Sequence, residues 1–438
     1  MKCPLITMSA VTGKPSRQQI YEYMQSLKDA DITQIMLYPR SGCEIEYLSE
    51  EWFNTVGIFI DAALELDMYI WLYDDFNWPS GDAGGRVTAI SDYRLSAIII
   101  KGDDAGNITV KSTHNSGLFG EKYFPNLLSY EAVDYFIKCT HEEYYKRFGV
   151  HFGTVIKGMF TDEPSIGYCC HGDCLPYYDG LKEDYFNAYG CELDSDIECQ
   201  SAKLYEKAMA IISSRFKSCY LDKIASWCKN HGILMTGHFM CDHNPFYGVT
   251  HSGNVINNLS TLSLPGIDEI CTNFEDECEM ALLGTAEHAR GENGAMAELF
   301  ALGPCDMPYA KKRAMIYLCA CHKIDHYFLA ISHLDMRGNL LVKDYFNNFS
   351  LAQPDFMGMR ELAKVATHAA AIAKKDFSPD LYIRFPFDLA YNNIGKSFDT
   401  MPFLSLINDL TYNQIQWKFT ENQKEDAPVI EFNDRLRY

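Results

Sequence analysis

The stretch VIKGMFTDE, Val155–Glu163, is mostly apolar and ends in two acids directly before Pro164. A short run of this kind predicts a buried β-strand that carries polar side chains at its carboxyl end. Similar runs recur along the chain, and each is followed by sequence typical of a helix. The complete set of predicted strands is Pro4–Val11, Thr33–Pro39, Met68–Asp75, Val155–Glu163, Ile233–Phe239, Asp268–Phe274, Gly294–Phe300 and His326–Asp335.

Eight consecutive strand–helix units predict a closed (β/α)₈ barrel, the TIM barrel, because a strand followed by a helix and another strand is usually a parallel pair. A doubly wound open sheet is the alternative, but no glycine-rich ligand-binding fingerprint follows an early strand. We place the barrel at residues 1–378. The pieces LSAIIIKG and NITVKST predict a β-rich insertion at about 86–126, and residues 379–438 read as a short, partial C-terminal α/β segment.

Composition excludes several classes of protein. The chain has 438 residues, of which 47% are hydrophobic, so it can bury a large core. Its net charge of −21 disfavours nucleic acid as a partner, and we find no apolar run long enough to span a membrane. We read the N-terminus as the first strand and not as a signal peptide. The 16 cysteines lack paired CxxC motifs, so we expect reduced thiols and a cytoplasmic protein. The oligomeric state stays open.

Polar side chains cluster where the predicted strands end. In a TIM barrel the site lies at this face, so we expect these residues to converge. We predict two catalytic residues, Glu163 and Glu298. The predicted substrate-binding residues are Asp74, Asp75, Trp78, Asp162, His238, His243, His333 and Asp335.

Glu163 and Glu298 suit the cleavage of a glycosidic bond. That reaction needs one carboxylic acid to protonate the leaving oxygen and a second carboxylate to act as nucleophile or to activate water. Strands four and seven lie on roughly opposite sides of an eight-stranded barrel, so their side chains can flank a sugar. Two structural alternatives remain. Glu163 with Pro164 could begin a helix, and Glu298 could be a buried acid paired with Arg or Lys.

A metal site is not predicted. His238, His243 and His333 invite a metal hypothesis, but the first strand lacks the HxH pair with which metal-dependent amidohydrolase barrels usually begin. The segment CCHGDC, residues 169–174, fits no common zinc spacing. We therefore expect no metal and no cofactor fingerprint.

Five motifs in order resemble those of bacterial α-L-rhamnosidase-like glycoside hydrolases. They are YDDFNWPSGDAGG (73–85), FTDEP (160–164), GHFMCDH (237–243), LPGIDEI (264–270) and MAELFALG (296–303). The resemblance covers about residues 1–390 and is greatest to the inverting α-L-rhamnosidases with a catalytic (β/α)₈ barrel.

The resemblance implies specific roles. Glu163 would be the general acid and Glu298 the general base, with Asp75, His238 and His333 around the sugar. The substrate would be an oligosaccharide or small glycoside, such as an α-L-rhamnoside. Some members carry calcium near the site, although no ligand set can be assigned in this sequence.

Three questions stay open at the level of sequence. Acids on strands four and seven are also typical of retaining barrel glycosidases, so the stereochemical outcome is undetermined. A non-catalytic carbohydrate-binding barrel is an alternative function. A metal-dependent hydrolase is a further one.

Overall fold

The computed structural model is built on a closed barrel of eight parallel strands, which we number β1 to β8. It describes residues 3–432 except 114–121, 169, 171, 243, 270–278, 302–306, 335–355, 357, 377, 398 and 422–424. Each strand pairs with its neighbours in sequence order, and β8 closes the barrel against β1. The TIM-barrel prediction is therefore confirmed. The strands are Leu5–Gly13, Gln34–Cys43, Tyr69–Tyr73, Ile156–Asp162, Leu234–His238, Leu264–Glu269, Met296–Leu299 and His326–Leu334.

Helices follow the strands, and several begin where the sequence predicts. The Ser16 side chain accepts from the Gln19 backbone N–H in a complete capping box. The Ser49 side chain caps the next helix by accepting from the Trp52 backbone N–H. Within the described chain, no helix is both long and apolar enough to cross a membrane. The α-helices are Arg17–Asp29, Glu50–Glu65, Tyr130–Cys139, His141–Phe148, Leu181–Tyr189, Leu193–Glu198, Leu204–Phe216, Asp222–Asn230, Pro245–Ser252, Val255–Leu259, Glu279–Ala289, Tyr309–Cys321, Met359–Ala373, Phe387–Asn392 and Met401–Tyr412.

Aromatic side chains fill the inside of the barrel. Trp71, Tyr73, Phe160 and Phe328 are all buried in one interior cluster. The rings of Tyr38 and Tyr73 stack with their centroids 4.2 Å apart, and Trp71 meets Phe328 edge to face at 5.6 Å. The interior is thus a packed core, and the polar residues at the carboxyl ends of the strands lie next to a layer of aromatic side chains.

The insertion after β3 is β-rich, as predicted. Strand Ser96–Ile99 pairs antiparallel with Ile108–Val110 on one side and with Cys174–Tyr177 on the other. The third strand comes from the segment after β4, a long-range pairing that the sequence pattern did not indicate. The insertion is therefore joined to the chain that leaves the end of β4.

The C-terminal segment forms a small parallel sheet. Its central strand, Leu381–Arg384, pairs with Trp417–Thr420 and with Val429–Glu431. The central strand and Val429–Glu431 were predicted from LYIRFPF and APVIEF, whereas Trp417–Thr420 was not, because four residues give almost no periodicity. The ring of Trp417 lies directly against Gly284 of the helix Glu279–Ala289, where a β-carbon would collide with it.

The predicted start of β6 is wrong by about four residues, and the predicted residues 270–274 lie outside the described part of the structure. We predicted Asp268–Phe274, but the strand is Leu264–Glu269, set by pairing of Thr236 with Leu264 and of Gly237 with Pro265. Because Pro265 has no N–H to donate within a sheet, the sequence around it predicted the end of a helix and a loop rather than a central strand. Asp268 therefore lies at the carboxyl end of β6 and not at its start.

Candidate active site

Asp162 at the end of β4 is held by two tyrosines from neighbouring strands. Tyr73 Oη donates to Asp162 Oδ2 at 2.6 Å, and Tyr38 Oη donates to the same oxygen at 3.3 Å. Asp162 is buried. Its backbone is also joined to the loop after β3, since its N–H donates to Ser80 Oγ (2.8 Å) and the Ser80 N–H donates to its carbonyl (2.7 Å).

Glu163 marks the point where the chain leaves the barrel wall. Its φ of +48° lies in the left-handed region, which a non-glycine residue adopts at a cost and which is common at functional sites. The chain from 163 to 168 is irregular, so Glu163 does not begin a helix. The turn instead directs a half-buried carboxyl group away from the regular alternation of β4.

His238 links β4, β5 and β7. Its Nε2–H donates to Glu298 Oε2 at 3.0 Å, and the same nitrogen lies 3.3 Å from Asp162 Oδ1. The imidazole is only 1% exposed. A β-carbon on the preceding Gly237 would collide with the Thr161 carbonyl, so this glycine lets β5 approach β4 closely enough to bring the ring into place.

Glu298 is a buried acid at the end of β7, and its described ion-pair partner is His238 rather than Arg or Lys. A nearby buried cation, Arg40 at the end of β2, also acts on it, because its charge opposes the rise in the Glu298 pKa that burial causes. Arg40 donates to Tyr38 Oη and lies over the Tyr38 ring, 4.8 Å from the centroid. Sequence reasoning missed Arg40, although a cation directly after the predicted strand Thr33–Pro39 is a usable signal.

Asp268 adds a third carboxylate to Glu163 and Glu298. Sequence reasoning missed it, because the predicted β6 began at this residue. In the barrel it pairs in register with Glu298 of β7. Its N–H donates to Asp242 Oδ2 at 3.0 Å, while its buried Oδ1 has no hydrogen-bond partner among the described residues. A correct strand register would have placed it at the same face as the other acids.

The two predicted catalytic carboxylates lie beside one imidazole ring. An oxygen of Glu163, an oxygen of Asp268 and a His238 ring nitrogen all lie within 4.8 Å of one another. Because Glu298 hydrogen-bonds to the same ring, the nearest oxygens of Glu163 and Glu298 are at most about 10 Å apart. This upper limit is compatible with the retaining spacing of about 5–5.5 Å and with the inverting spacing of about 6.5–9.5 Å.

Burial and mutual repulsion shift the pKa values of this cluster. Burial, then the charges of Asp162, Asp242 and Glu298, raise the pKa of Glu163 to about 8, against the opposing effect of His238. The pKa of Asp268 is raised well above its usual value by burial and by Glu298. Burial opposes charge on His238, but Asp268, Glu298 and Asp162 outweigh it and raise the pKa of the imidazole well above its usual value.

Two overlapping groups in this cluster have the composition of a metal site. Asp162, His238 and Glu298 form one, and Glu163, His238 and Asp268 form the other, with their ligand atoms within 4.8 Å. Carboxylates and imidazole suit zinc or manganese better than calcium, which prefers oxygen ligands only. Both groups share His238, which is already hydrogen-bonded to Glu298. This arrangement suits proton transfer as well as it suits metal binding.

Asp75 organises the loop after β3. Its two carboxylate oxygens accept backbone N–H bonds at 2.6–3.0 Å from five loop residues, which are Phe76, Gly81, Asp82, Ala83 and Gly84. Asp74 is fully buried and accepts from Ser80 Oγ at 2.6 Å. The structure thus gives both acids a role in holding the loop, and contact of either with a substrate remains a prediction.

The Asp75→Asn variant is expected to lose about 2–4 kcal/mol of unfolding free energy. An amide has one acceptor oxygen in place of two, and its NH₂ group would face loop N–H donors. Chemical denaturation would measure the loss, and Asp103→Asn, at an exposed position, should stay within about 0.5 kcal/mol of the parent. Equal stability of the two variants would contradict this role of Asp75.

The remaining predicted residues are placed only in part. Trp78 is half-buried in the same loop. The backbone of His333 pairs with Ala10 in the barrel, but its side chain lies outside the described part of the structure. His243 and Asp335 also lie outside the described residues. Their roles remain predictions.

Comparison with known proteins supports the fold class. No protein family and no curated protein matches the sequence. Among solved structures, a rhamnosidase from Novosphingobium sp. PP1Y aligns over 96% of this chain with a TM-score of 0.70 and 9% identity. Two β-galactosidases align over 97% and 98% of it at 12% identity, one from Halorubrum lacusprofundi (TM-score 0.65) and one from Bacillus circulans sp. alkalophilus (TM-score 0.67).

These similarities are distant and concern the fold. The chain spans 63% of the rhamnosidase and 68% and 67% of the two β-galactosidases. At such identities fold is shared without any statement about activity. The chain therefore has the barrel architecture of glycoside hydrolases, and its chemistry must be argued from the site.

Proposed function

We propose that the chain is a glycoside hydrolase that cleaves an O-glycosidic bond with Glu163 and Glu298. The observation that carries the proposal is the placement of both carboxyl groups beside the buried His238, at the carboxyl ends of β4 and β7. The similarity to glycoside hydrolase barrels supports it independently.

Glu163 acts as the general acid in this proposal. A pKa of about 8 keeps the carboxyl group protonated at neutral pH, so a proton is available for the leaving oxygen. The residue as a whole is half-buried, so part of it faces solvent at this face of the barrel. Two acids whose surroundings give them different proton affinities are the usual basis of such a division of roles.

Glu298 acts as the nucleophile or as the base that activates water. Burial raises its pKa, and the hydrogen bond and positive charge of His238 oppose that rise. The hydrogen bond also fixes the orientation of the carboxylate, because the ring is itself held between β4 and β7. His238 is thus a positioning residue for Glu298.

We propose a neutral sugar as the substrate. The acidic side chains around His238 would repel an anionic sugar, whereas hydroxyl groups can donate to them. An α-L-rhamnoside is the first candidate, since the motif resemblance points to rhamnosidases and the Novosphingobium protein is a rhamnosidase. The mechanism needs no cofactor.

A panel of aryl glycosides tests the proposal, beginning with the α-L-rhamnoside and the β-galactoside. Release of the phenol identifies the sugar, and NMR of the first-formed anomer separates inversion from retention. Saccharide binding without turnover of any member would support the non-catalytic alternative instead.

The pH profile gives a second test. Because the general acid must be protonated, kcat/KM for a phenyl glycoside is expected to fall as pH rises through about 8, the pKa of Glu163. A dinitrophenyl glycoside, whose leaving group needs no proton, should lack this alkaline decline. The same decline with both leaving groups would contradict the assignment of Glu163.

A further inference from the structure

Asp162 is a buried carboxylate whose two oxygens both have partners in the protein. Its Oδ2 accepts from Tyr73 Oη at 2.6 Å and from Tyr38 Oη at 3.3 Å. Its Oδ1 lies 3.3 Å from His238 Nε2. The residue is only 5% exposed, and its backbone is fixed by two hydrogen bonds to Ser80. Asp162 is therefore placed to act on His238 rather than on a substrate.

The described hydrogen bonds of the His238 ring all run through one nitrogen. Nε2 lies 3.0 Å from Glu298 Oε2 and 3.3 Å from Asp162 Oδ1. The buried Nδ1 has no hydrogen-bond partner among the described residues, and the Phe160 ring meets the imidazole edge to face with the centroids 5.6 Å apart. Because one N–H cannot point well at two acceptors, the two carboxylates compete for it.

The tyrosine hydroxyl groups weaken one of the two competitors. Each O–H that donates to Asp162 neutralises part of its negative charge, so the carboxylate attracts a further donor less strongly. Tyr73 has the shorter contact, and Tyr38 is itself polarised by the Arg40 guanidinium that donates to its Oη. Glu298 has no tyrosine among its described donors. It is therefore the stronger acceptor, in agreement with its shorter distance to Nε2.

We propose that Tyr73 is a positioning residue whose hydroxyl group, by neutralising Asp162, directs the His238 N–H to Glu298. The fixed N–H then holds the Glu298 carboxylate in the orientation from which it attacks the sugar or activates water. Tyr73 does not touch the substrate in this arrangement. The consequence for turnover rests on the proposed function, whereas the direction of the N–H does not.

Tyr73→Phe tests the proposal, because it removes the hydroxyl group and leaves the ring that stacks on Tyr38. With Asp162 restored as a competitor, we expect kcat to fall about 10- to 100-fold with KM nearly unchanged. Phenyl and dinitrophenyl glycosides should be affected alike, since the change acts on Glu298 and not on the general acid. Steady-state kinetics measure both constants.

Two further variants separate positioning from stability. Tyr220→Phe is the matched control, because it removes a buried hydroxyl group that bonds to Thr161 Oγ1 at 2.8 Å, one residue before Asp162. It should destabilise the fold to a similar extent and leave kcat unchanged. Adding Asp162→Asn to Tyr73→Phe removes the competing charge, so kcat should recover above that of Tyr73→Phe alone. A merely structural role of Tyr73 predicts a further loss instead.

NMR of the full chain with isotope-labelled histidine reads the direction of the N–H without turnover. The His238 N–H signal is identified by its loss in His238→Gln. Tyr73→Phe should shift this signal, and Tyr220→Phe should not. If these shifts occur while no glycoside is hydrolysed, the hydrogen-bond arrangement stands and only the proposed function fails.

Three results would overturn the proposal. They are an equal loss of kcat in Tyr73→Phe and Tyr220→Phe, a loss that appears in KM instead of kcat, and an unchanged His238 N–H signal in Tyr73→Phe. If Tyr73→Phe fails to fold, as judged by circular dichroism, Tyr38→Phe removes the other hydroxyl group from Asp162 and takes its place with the same expectations.

Discussion

Glu163→Gln is expected to lower kcat/KM for a phenyl glycoside by about 10²–10⁴-fold, the usual contribution of a general acid. The glutamine keeps the shape of the side chain but has no proton to give to the leaving oxygen. Cleavage of the corresponding dinitrophenyl glycoside should fall far less, because that phenolate leaves without protonation. The measurement is kcat/KM for both substrates in parent and variant.

A matched control separates this effect from general damage. Glu183 is an exposed acid on a surface helix, and Glu183→Gln should leave both rate constants unchanged. The Glu163 variant should also keep the parent melting temperature at neutral pH, since the carboxyl group that the amide replaces, with a pKa of about 8, is already uncharged there. Equal losses for the two glycosides would rule out an acid role for Glu163.

Glu298→Gln is expected to lower kcat by about 10⁴-fold or more for both leaving groups. The substitution removes the carboxylate that attacks the sugar or activates water, so a better leaving group cannot compensate. It also removes a charge that supports the imidazolium form of His238, and the His238 pKa should therefore fall. Steady-state kinetics with the two aryl glycosides measure the loss.

Added azide then tests the role of Glu298 in either mechanism. In a retaining enzyme azide replaces the missing nucleophile, and in an inverting enzyme it attacks without needing the missing base, so in both cases the variant should regain turnover and release a glycosyl azide of inverted configuration. The anomer that the parent enzyme releases first separates the two mechanisms. Full activity of Glu298→Gln would assign its role to another carboxylate, of which Asp268 is the nearest in register.

Local sequence determined the barrel and the residues at its mouth. Apolar runs and helical stretches alternate eight times, and this pattern alone specifies parallel strands because each helix must cross back over the sheet. Once the strands are parallel, their carboxyl ends share one face, so Glu163, His238 and Glu298 had to converge. This convergence follows from the order of the strands and helices, without knowledge of any tertiary contact.

Only the tertiary structure decided what each polar group does. Asp75 looks like a ligand residue in sequence, but loop N–H groups surround its carboxylate. Asp268 became part of the site only when pairing with β5 set the register of β6. Arg40 likewise acts on Glu298, which is distant from it in sequence. Pairing register and burial arise from contacts across the whole fold, and a pattern of period two or 3.6 carries no information about them.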